Sequence, residues 1–527
     1  YPGTVHWERL QRQNRIFDYD WRHYNGAHVV AHHPTMTDEQ LYEQFLTIWR
    51  EFFKVQKERH ATHLEPATYQ RGEQIVGKPL QRKGVRQEAV VTGIGLFSPI
   101  GNHVSEVVEA LREGRAGLAP IGTFDTSHFR TGIGGEIRDF RPEEWLTDEE
   151  RAEYEDRYLQ YAVASARRAV ADSGFDGFSA GTVRRDVALV LGTCNGGLLS
   201  AEEEYRWKHG KSEKPFDEKM NLQAQLYGFG KAMAHALGIG GEVWVVTTAC
   251  SSTTGALGLA QMLVNRGYYK TVIVGGSDSL CVANVSGFNG IKAVSTAQTA
   301  PFSLPEGLNV GEAACFWVVE EMENALLRKA RCYARLVGHA TTSDAYHPTT
   351  PDPRGDGVFR TLRNALADSC IELKDIGYVN AHGTGTSAND RAESRGIARL
   401  IGDTPVPVVS LKSFFGHCMG STGMLEATCG ILAMNEGFIP PTVNFGEPRP
   451  GCGLDYVPNT PRQKDYSAFV SANYAFGGNN AATVITKWNH EVPVRERNSK
   501  RVVITGCGAV SSLGPGVEPL LQALREQ

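Results

Sequence analysis

Val245-Val246-Thr247-Thr248-Ala249-Cys250-Ser251-Ser252 runs an apolar, β-branched strand directly into a turn and then into a helix of small residues that carries Gly255, Ala256, Leu257, Leu259, Ala260 and Leu263. A thiol at such a junction sits beside the unpaired N–H groups and the dipole of the helix, which favour thiolate over thiol and suit a nucleophile. A free cysteine is otherwise a small core residue, and Cys194, Cys281 and Cys429 are read that way.

Working outward, the same alternation recurs. Strands are expected at Val187–Leu191, Val243–Thr248, Thr271–Val274 and Ile376–Asn380, and helices at Arg157–Ser173, Ser251–Arg266, Gly357–Ser369 and Gly423–Asn435. This pattern predicts an α/β fold with largely parallel, buried sheets. Two further strand ends carry histidines in Gly-rich loops: Tyr378-Val379-Asn380-Ala381-His382-Gly383-Thr384-Gly385-Thr386, and Ser410-Leu411-Lys412-Ser413-Phe414-Phe415-Gly416-His417. Each histidine alone fits a structural role, but a strand-end Cys with two such loops makes a catalytic constellation.

The composition limits the alternatives. A chain of 527 residues with 41% hydrophobic and 21% charged residues holds material for several globular domains and is neither disordered nor collagen-like. A net charge of −5 and the absence of zinc-finger or RNA-binding signatures argue against a nucleic-acid binder. The 10 Cys have no paired short spacing, so neither a disulfide framework nor a zinc site is expected, and reduced thiols fit a cytoplasmic protein. No uncharged apolar run reaches the ~18–20 residues of a membrane helix, and Tyr1-Pro2-Gly3-Thr4 opens no signal peptide.

The chain also echoes itself. Val90-Val91-Thr92-Gly93-Ile94-Gly95, with Ser98, Gly101 and Ala110-Leu111-Arg112-Glu113, returns in the same ungapped register as Val503-Ile504-Thr505-Gly506-Cys507-Gly508, with Ser511, Gly514 and Ala523-Leu524-Arg525-Glu526. The spacing is far too long for a solenoid, so residues 501–527 are expected to open a second copy of a whole domain. A chain that starts without Met and stops within an amphipathic segment is read as part of a longer polypeptide. Residues 1–64 differ from the rest: they are rich in His, Tyr and Trp, and Leu41, Phe45, Ile48, Trp49, Phe52 and Phe53 recur at helical spacing after Thr37-Asp38. Polar, Gly- and Pro-containing linkers are expected at 65–87 and 491–500.

Thr248-Ala249-Cys250-Ser251-Ser252, Ala381-His382-Gly383-Thr384-Gly385-Thr386, Asn389-Asp390-Arg391-Ala392-Glu393, Leu411-Lys412-Ser413 with Gly416-His417, and Asn473-Tyr474-Ala475-Phe476-Gly477-Gly478-Asn479-Asn480 together resemble the β-ketoacyl synthases of the thiolase superfamily, specifically the elongating type with two histidines. The resemblance covers about residues 88 to 490. It implies a thiolase fold, a five-layered αβαβα core of two similar halves (88–338 and 339–490), here preceded by an N-terminal helical tail. It implies decarboxylative condensation of an acyl chain held on Cys250 with a malonyl thioester. His382 and His417 would bind the malonyl carbonyl and stabilise the enolate, and Lys412 would pair with Glu393 to order the histidine loop. Backbone N–H groups of Cys250 and Tyr474 would form the oxyanion hole. Thr384, Thr386, Tyr474, Phe476 and Gly477 would line the substrate path, with Tyr474 where the family has a gating Phe.

The family implies acyl carrier protein as partner, a homodimer or a pseudo-dimer with a second synthase-like domain, and neither cofactor nor metal. Lys208, Lys211 and Lys214 are candidates for carrier docking, although such a run is commonly a solvated face. The alternative is a non-condensing scaffold or chain-length-factor-like subunit. Two departures bear on substrate. Pro301-Phe302-Ser303-Leu304-Pro305-Glu306-Gly307-Leu308-Asn309-Val310-Gly311-Glu312-Ala313 lacks the family's usual Arg and Asp, and the Tyr474 hydroxyl either suits an oxidised or unsaturated chain or bonds to a neighbour. Residues 1–64 resemble the C-terminus of cobalamin-type radical S-adenosylmethionine proteins through Ile16-Phe17-Asp18-Tyr19-Asp20-Trp21 and His33-Pro34. No Cys precedes Cys194, so this tail holds no iron–sulfur cluster of its own.

Overall fold

The computed structural model describes residues 87–175, 183–213 and 218–492, with a few positions between 506 and 522. The tail at 1–64, almost all of the linkers and more than half of the second-copy opening lie outside the described residues.

Ten strands form one sheet. They are β1 (Ala89–Phe97), β2 (Val187–Gly192), β3 (Val243–Val246), β4 (Thr271–Asp278), β5 (Ala313–Glu321), β6 (Ala334–Ser343), β7 (Val379–Asn380), β8 (Val408–Val409), β9 (Ala468–Ala475) and β10 (Asn479–Thr486). Their spatial order is β8-β7-β9-β10-β6-β1-β5-β4-β2-β3. From the central β1/β6 pair outward, the two sides are the same. β1 pairs antiparallel with β5, β5 antiparallel with β4, and β4-β2-β3 run parallel; β6, β10, β9, β7 and β8 repeat that sequence of directions. The sheet is therefore mixed rather than largely parallel, because β5 and β10 return alongside the strand before them instead of crossing over. The β9–β10 return is a tight hairpin closed by Phe476–Gly478. The two five-strand sets part between Glu321 and Ala334, so a boundary at 338/339 would cut β6.

The principal helices are α1 (Arg157–Ser173), α2 (Ser252–Asn265), α3 (Val282–Gly290), α4 (Asp356–Ser369), α5 (Ser387–Ile401) and α6 (Thr422–Asn435). α1 starts where the Asp156 carboxylate accepts from the Tyr158 N–H, and it stops at Gly174 in the left-handed region. α1 covers one face of the N-terminal half, and α4 covers the C-terminal half on β6 and β10. α2 and α6 pack on each other and touch strands of both halves, which gives the helix–sheet–helix–sheet–helix layering of the thiolase fold. Small residues permit this central layer: a Cβ on Gly258 would lie 2.1 Å from the ring of His339 on β6. Every α6 residue from Thr422 to Met434 is buried.

No helix among the described residues is long and apolar enough to cross a membrane. Near the C-terminus Ser511 pairs antiparallel with Gly514, as Ser98 bridges Gly101 after β1.

Candidate active site

Cys250, His382 and His417 each follow the carboxyl end of a strand, β3, β7 and β8, where α/β sheets open to ligands. β3 ends at Val246, sooner than expected, because the chain turns at Thr248 into a 3₁₀ turn, Ala249–Ser251, before α2 begins. Ala249 takes φ 52°, a strained value for a residue with a Cβ. Hydroxyls hold the turn: Ser251 Oγ donates to Thr248 O at 2.8 Å, and Ser252 Oγ donates to Ala249 O at 2.6 Å while accepting from the Thr248 N–H at 3.0 Å. This chemistry explains the run of Thr and Ser around Cys250.

Cys250, His382 and His417 converge. One side-chain ligand atom of each lies within 4.8 Å of the others, and the imidazole centroids are 5.4 Å apart with their planes nearly perpendicular. Such a trio could by atom type hold a metal ion, but the buried Lys412 ammonium acts electrostatically on all three and opposes a dication. A cavity of about 300 Å³ opens on them; Thr384, Thr386, Tyr474 and Phe476 share its wall. Gly478 lines it rather than Gly477, which at φ 80° makes the turn. Thr384 and Thr386 are hydroxyl to hydroxyl at 2.8 Å. Glu306, Gly307 and Leu308 bring the divergent loop to the wall. Gly307 N–H donates to Gly385 O at 2.8 Å, and the buried Arg449 binds both Asp390 and the carbonyls of Ser303 and Gly385.

Two expected contacts differ. Lys412 pairs with Glu426, Nζ to Oε1 at 2.7 Å, and not with Glu393. Glu393 instead accepts the backbone N–H groups of His382 at 2.6 Å and Gly383 at 2.7 Å, so it orders the histidine loop directly through its main chain. The N–H groups that face Cys250 Sγ are its own and that of Phe476, rather than that of Tyr474. Position along the hairpin explains this: Tyr474 lies within β9, whereas Phe476 opens the turn that brings its amide to the sulfur.

Burial is the largest influence on Cys250, His382, His417 and Glu393. It pushes the Cys250 thiol up to about 11, against the pull of Lys412 and of the two N–H groups. The expectation of a resting thiolate is therefore reversed. Burial, followed by the Lys412 charge, holds both His382 and His417 well below the ordinary imidazole value, so both are neutral. Burial also raises Glu393 to about 8.

Sequence reasoning assigned no role to Glu426, Asn473 or Phe288. Glu426 is the one charge in the apolar run Thr422–Asn435, a signal that was available. Asn473 lies between His382 and Glu426, with Nδ2 at 3.2 Å from His382 Nδ1 and 2.8 Å from Glu426 Oε2. The Phe288 ring, on α3, stands 6.1 Å from those of His417 and Phe476, a meeting that no sequence spacing marks. The Tyr474 hydroxyl is buried and has no hydrogen-bond partner among the described residues, so no described neighbour takes up the bonding alternative. Lys208 pairs with Glu204, and Lys214 lies outside the described residues.

Residues 86–325 match the family described as "Beta-ketoacyl synthase, N-terminal domain", and residues 333–446 match "Beta-ketoacyl synthase, C-terminal domain". The chain is 34% identical over 417 residues to the 3-oxoacyl-[acyl-carrier-protein] synthase 2 of Synechocystis, which spans 76% of this chain and 99% of that protein. Among solved structures, the ishigamide ketosynthase/chain length factor superposes with a TM-score of 0.71 at 34% identity, covering 77% of this chain and all of the other. A β-ketoacyl synthase from Burkholderia phymatum superposes with a TM-score of 0.70 at 29% identity, covering 76% and 99%. With the paired five-strand halves and the Cys-His-His cluster at their strand ends, these matches show that the chain belongs to the β-ketoacyl synthase family and is a condensing enzyme of the acyltransferase class.

Proposed function

We propose that the chain extends an acyl group carried on Cys250 by decarboxylative condensation with a malonyl thioester, both thioesters being delivered by acyl carrier protein. The observation that carries this reading is the convergence of one thiol and two neutral imidazoles on one cavity. In the first half-reaction Cys250 Sγ attacks the acyl thioester carbonyl, the Cys250 and Phe476 N–H groups stabilise the oxyanion, and the carrier thiol leaves. A thiol with a pKa of about 11 stays protonated at neutral pH, so its proton passes to a neutral imidazole as the sulfur attacks and from there to the departing carrier sulfur, which leaves as a thiol and returns the imidazole to its neutral form.

In the second half-reaction the histidines donate to the malonyl thioester oxygen. The bond between its α-carbon and its carboxylate breaks, CO₂ departs, and the electron pair passes into an enolate held by those N–H donors. The α-carbon then attacks the acyl-Cys carbonyl, forming the new C–C bond and expelling the Cys250 thiolate. Lys412, fixed by Glu426, adds positive potential that favours both the enolate and the departing sulfur. The Ser511/Gly514 pairing, which repeats that of Ser98/Gly101, supports reading residues 501–527 as the opening of a second synthase-like domain.

Intact mass spectrometry after incubation with an acyl-carrier thioester tests the first step. An acyl adduct is expected on the unmodified chain and none on Cys250→Ala. Absence of any adduct across chain lengths would favour a non-condensing scaffold.

A further inference from the structure

We infer that Asn473 is a positioning residue that fixes the proton of His382 on Nε2, so that this histidine meets the malonyl thioester as a hydrogen-bond donor; the inference deepens the condensation reading and rests on it. Asn473 is fully buried in β9, and all three of its polar contacts are accounted for. The Thr254 hydroxyl on α2 lies 2.5 Å from Oδ1 and donates to it. Nδ2 lies 2.8 Å from Glu426 Oε2, whose other oxygen holds the Lys412 ammonium at 2.7 Å. A carboxylate held in this way only accepts, so the amide nitrogen, and not the oxygen, must face it. The reverse orientation would set an amide oxygen against a carboxylate oxygen at hydrogen-bond distance inside the core.

That orientation leaves one N–H of the amide for His382 Nδ1, at 3.2 Å. Nδ1 must then accept. A neutral imidazole carries a single N–H, and with Nδ1 accepting, that N–H is Nε2. The line of contacts thus runs from Lys412 through Glu426 and Asn473 to His382, and it converts the position of a buried charge into the choice of a tautomer. The geometry needs glycine at 423. A Cβ there would lie 2.1 Å from Thr254 Oγ1 and 2.6 Å from Asn473 Oδ1, which would drive apart the two groups that pin the amide. The other imidazole has no equivalent lock, because its Nδ1 lies 3.3 Å from the Thr422 hydroxyl, a group able to donate or accept.

Histidine ring ¹⁵N NMR on the full chain reads the tautomer directly, with His382 assigned by comparison with His382→Gln. The expected result at neutral pH is a neutral ring protonated on Nε2; protonation on Nδ1, or on both nitrogens, would overturn the inference. In Asn473→Leu, which keeps the approximate volume and removes the donor, the Nε2–H form should lose its dominance. Decarboxylation of a malonyl-carrier thioester should fall about 10²-fold, while acylation of Cys250 by an acyl-carrier thioester is retained. Parallel loss of both half-reactions in a folded variant would mark Asn473 as merely structural, and unchanged decarboxylation would equally contradict its role. If Asn473→Leu does not fold, the tautomer in the unmodified chain decides. If the unmodified chain is neither acylated nor decarboxylates malonyl thioester, the condensation reading fails, while the NMR result still stands for or against the Asn473 lock.

Discussion

Lys412 and Glu426 are both within 1% of complete burial, so each depends on the other for the charge that water would otherwise solvate. Glu426→Gln should lower stability by about 3–5 kcal/mol, since it strands an ammonium in the core; denaturant unfolding measures this, and a loss below about 1 kcal/mol would mean that Lys412 has another partner. The Tyr474 hydroxyl presents the opposite case. It is buried without a partner among the described residues, so Tyr474→Phe should leave stability unchanged or raise it by about 1 kcal/mol in the same assay. The thiol supplies a pH test. Because burial raises Cys250 to about 11, its alkylation by iodoacetamide, followed on the Cys250 peptide, should keep climbing above pH 9; a plateau near neutrality would show a resting thiolate. At this scale Cys250, His382 and His417 were legible because each follows a strand in a distinctive loop. The partner of Lys412 was not, since Glu393 and Glu426 both stand near it in sequence and only the packing of α6 distinguishes them.

The elements that carry these residues were legible wherever the ends had local chemistry. α1 has Asp156 and Gly174 as caps, and its expected span is the observed one. α6 begins at Thr422, one residue before the expected start. β3 is shorter than its apolar run because the Thr248-Ala249 turn, shaped by the Ser251 and Ser252 hydroxyls, overrides strand propensity. Strand direction was misjudged: β5 and β10 are buried on both faces, so their composition matches that of a parallel strand while their pairing is antiparallel. At this scale Gly423→Ala is the informative change. Its added methyl collides with Thr254 and Asn473, and the variant should lose about 1–3 kcal/mol on thermal unfolding.

Over the whole molecule, identical strand order on either side of β1/β6 makes two halves of one design, and the site exists only where they meet. Cys250 follows β3 in the first half, while His382 and His417 follow β7 and β8 in the second. That duplication is faint in sequence, confined to short matches such as Arg-x-Ala-x-Ala-Asp-Ser at the ends of α1 (Arg167 to Ser173) and α4 (Arg363 to Ser369), whereas the echo between Val90 and Val503 runs through strand, turn and helix. The α2/α6 layer is buried from both sides, so residues 87–333 expressed alone should show no cooperative unfolding transition, and a sharp one would mean that the halves fold independently. The most direct test of condensation joins both half-reactions: the full chain is acylated, given malonyl-carrier thioester labelled at its free carboxylate, and assayed for labelled CO₂ together with a β-ketoacyl carrier product. The account predicts both in equal amount, and neither product with Cys250→Ala. Acylation of Cys250 without CO₂ release or a β-ketoacyl product would contradict it.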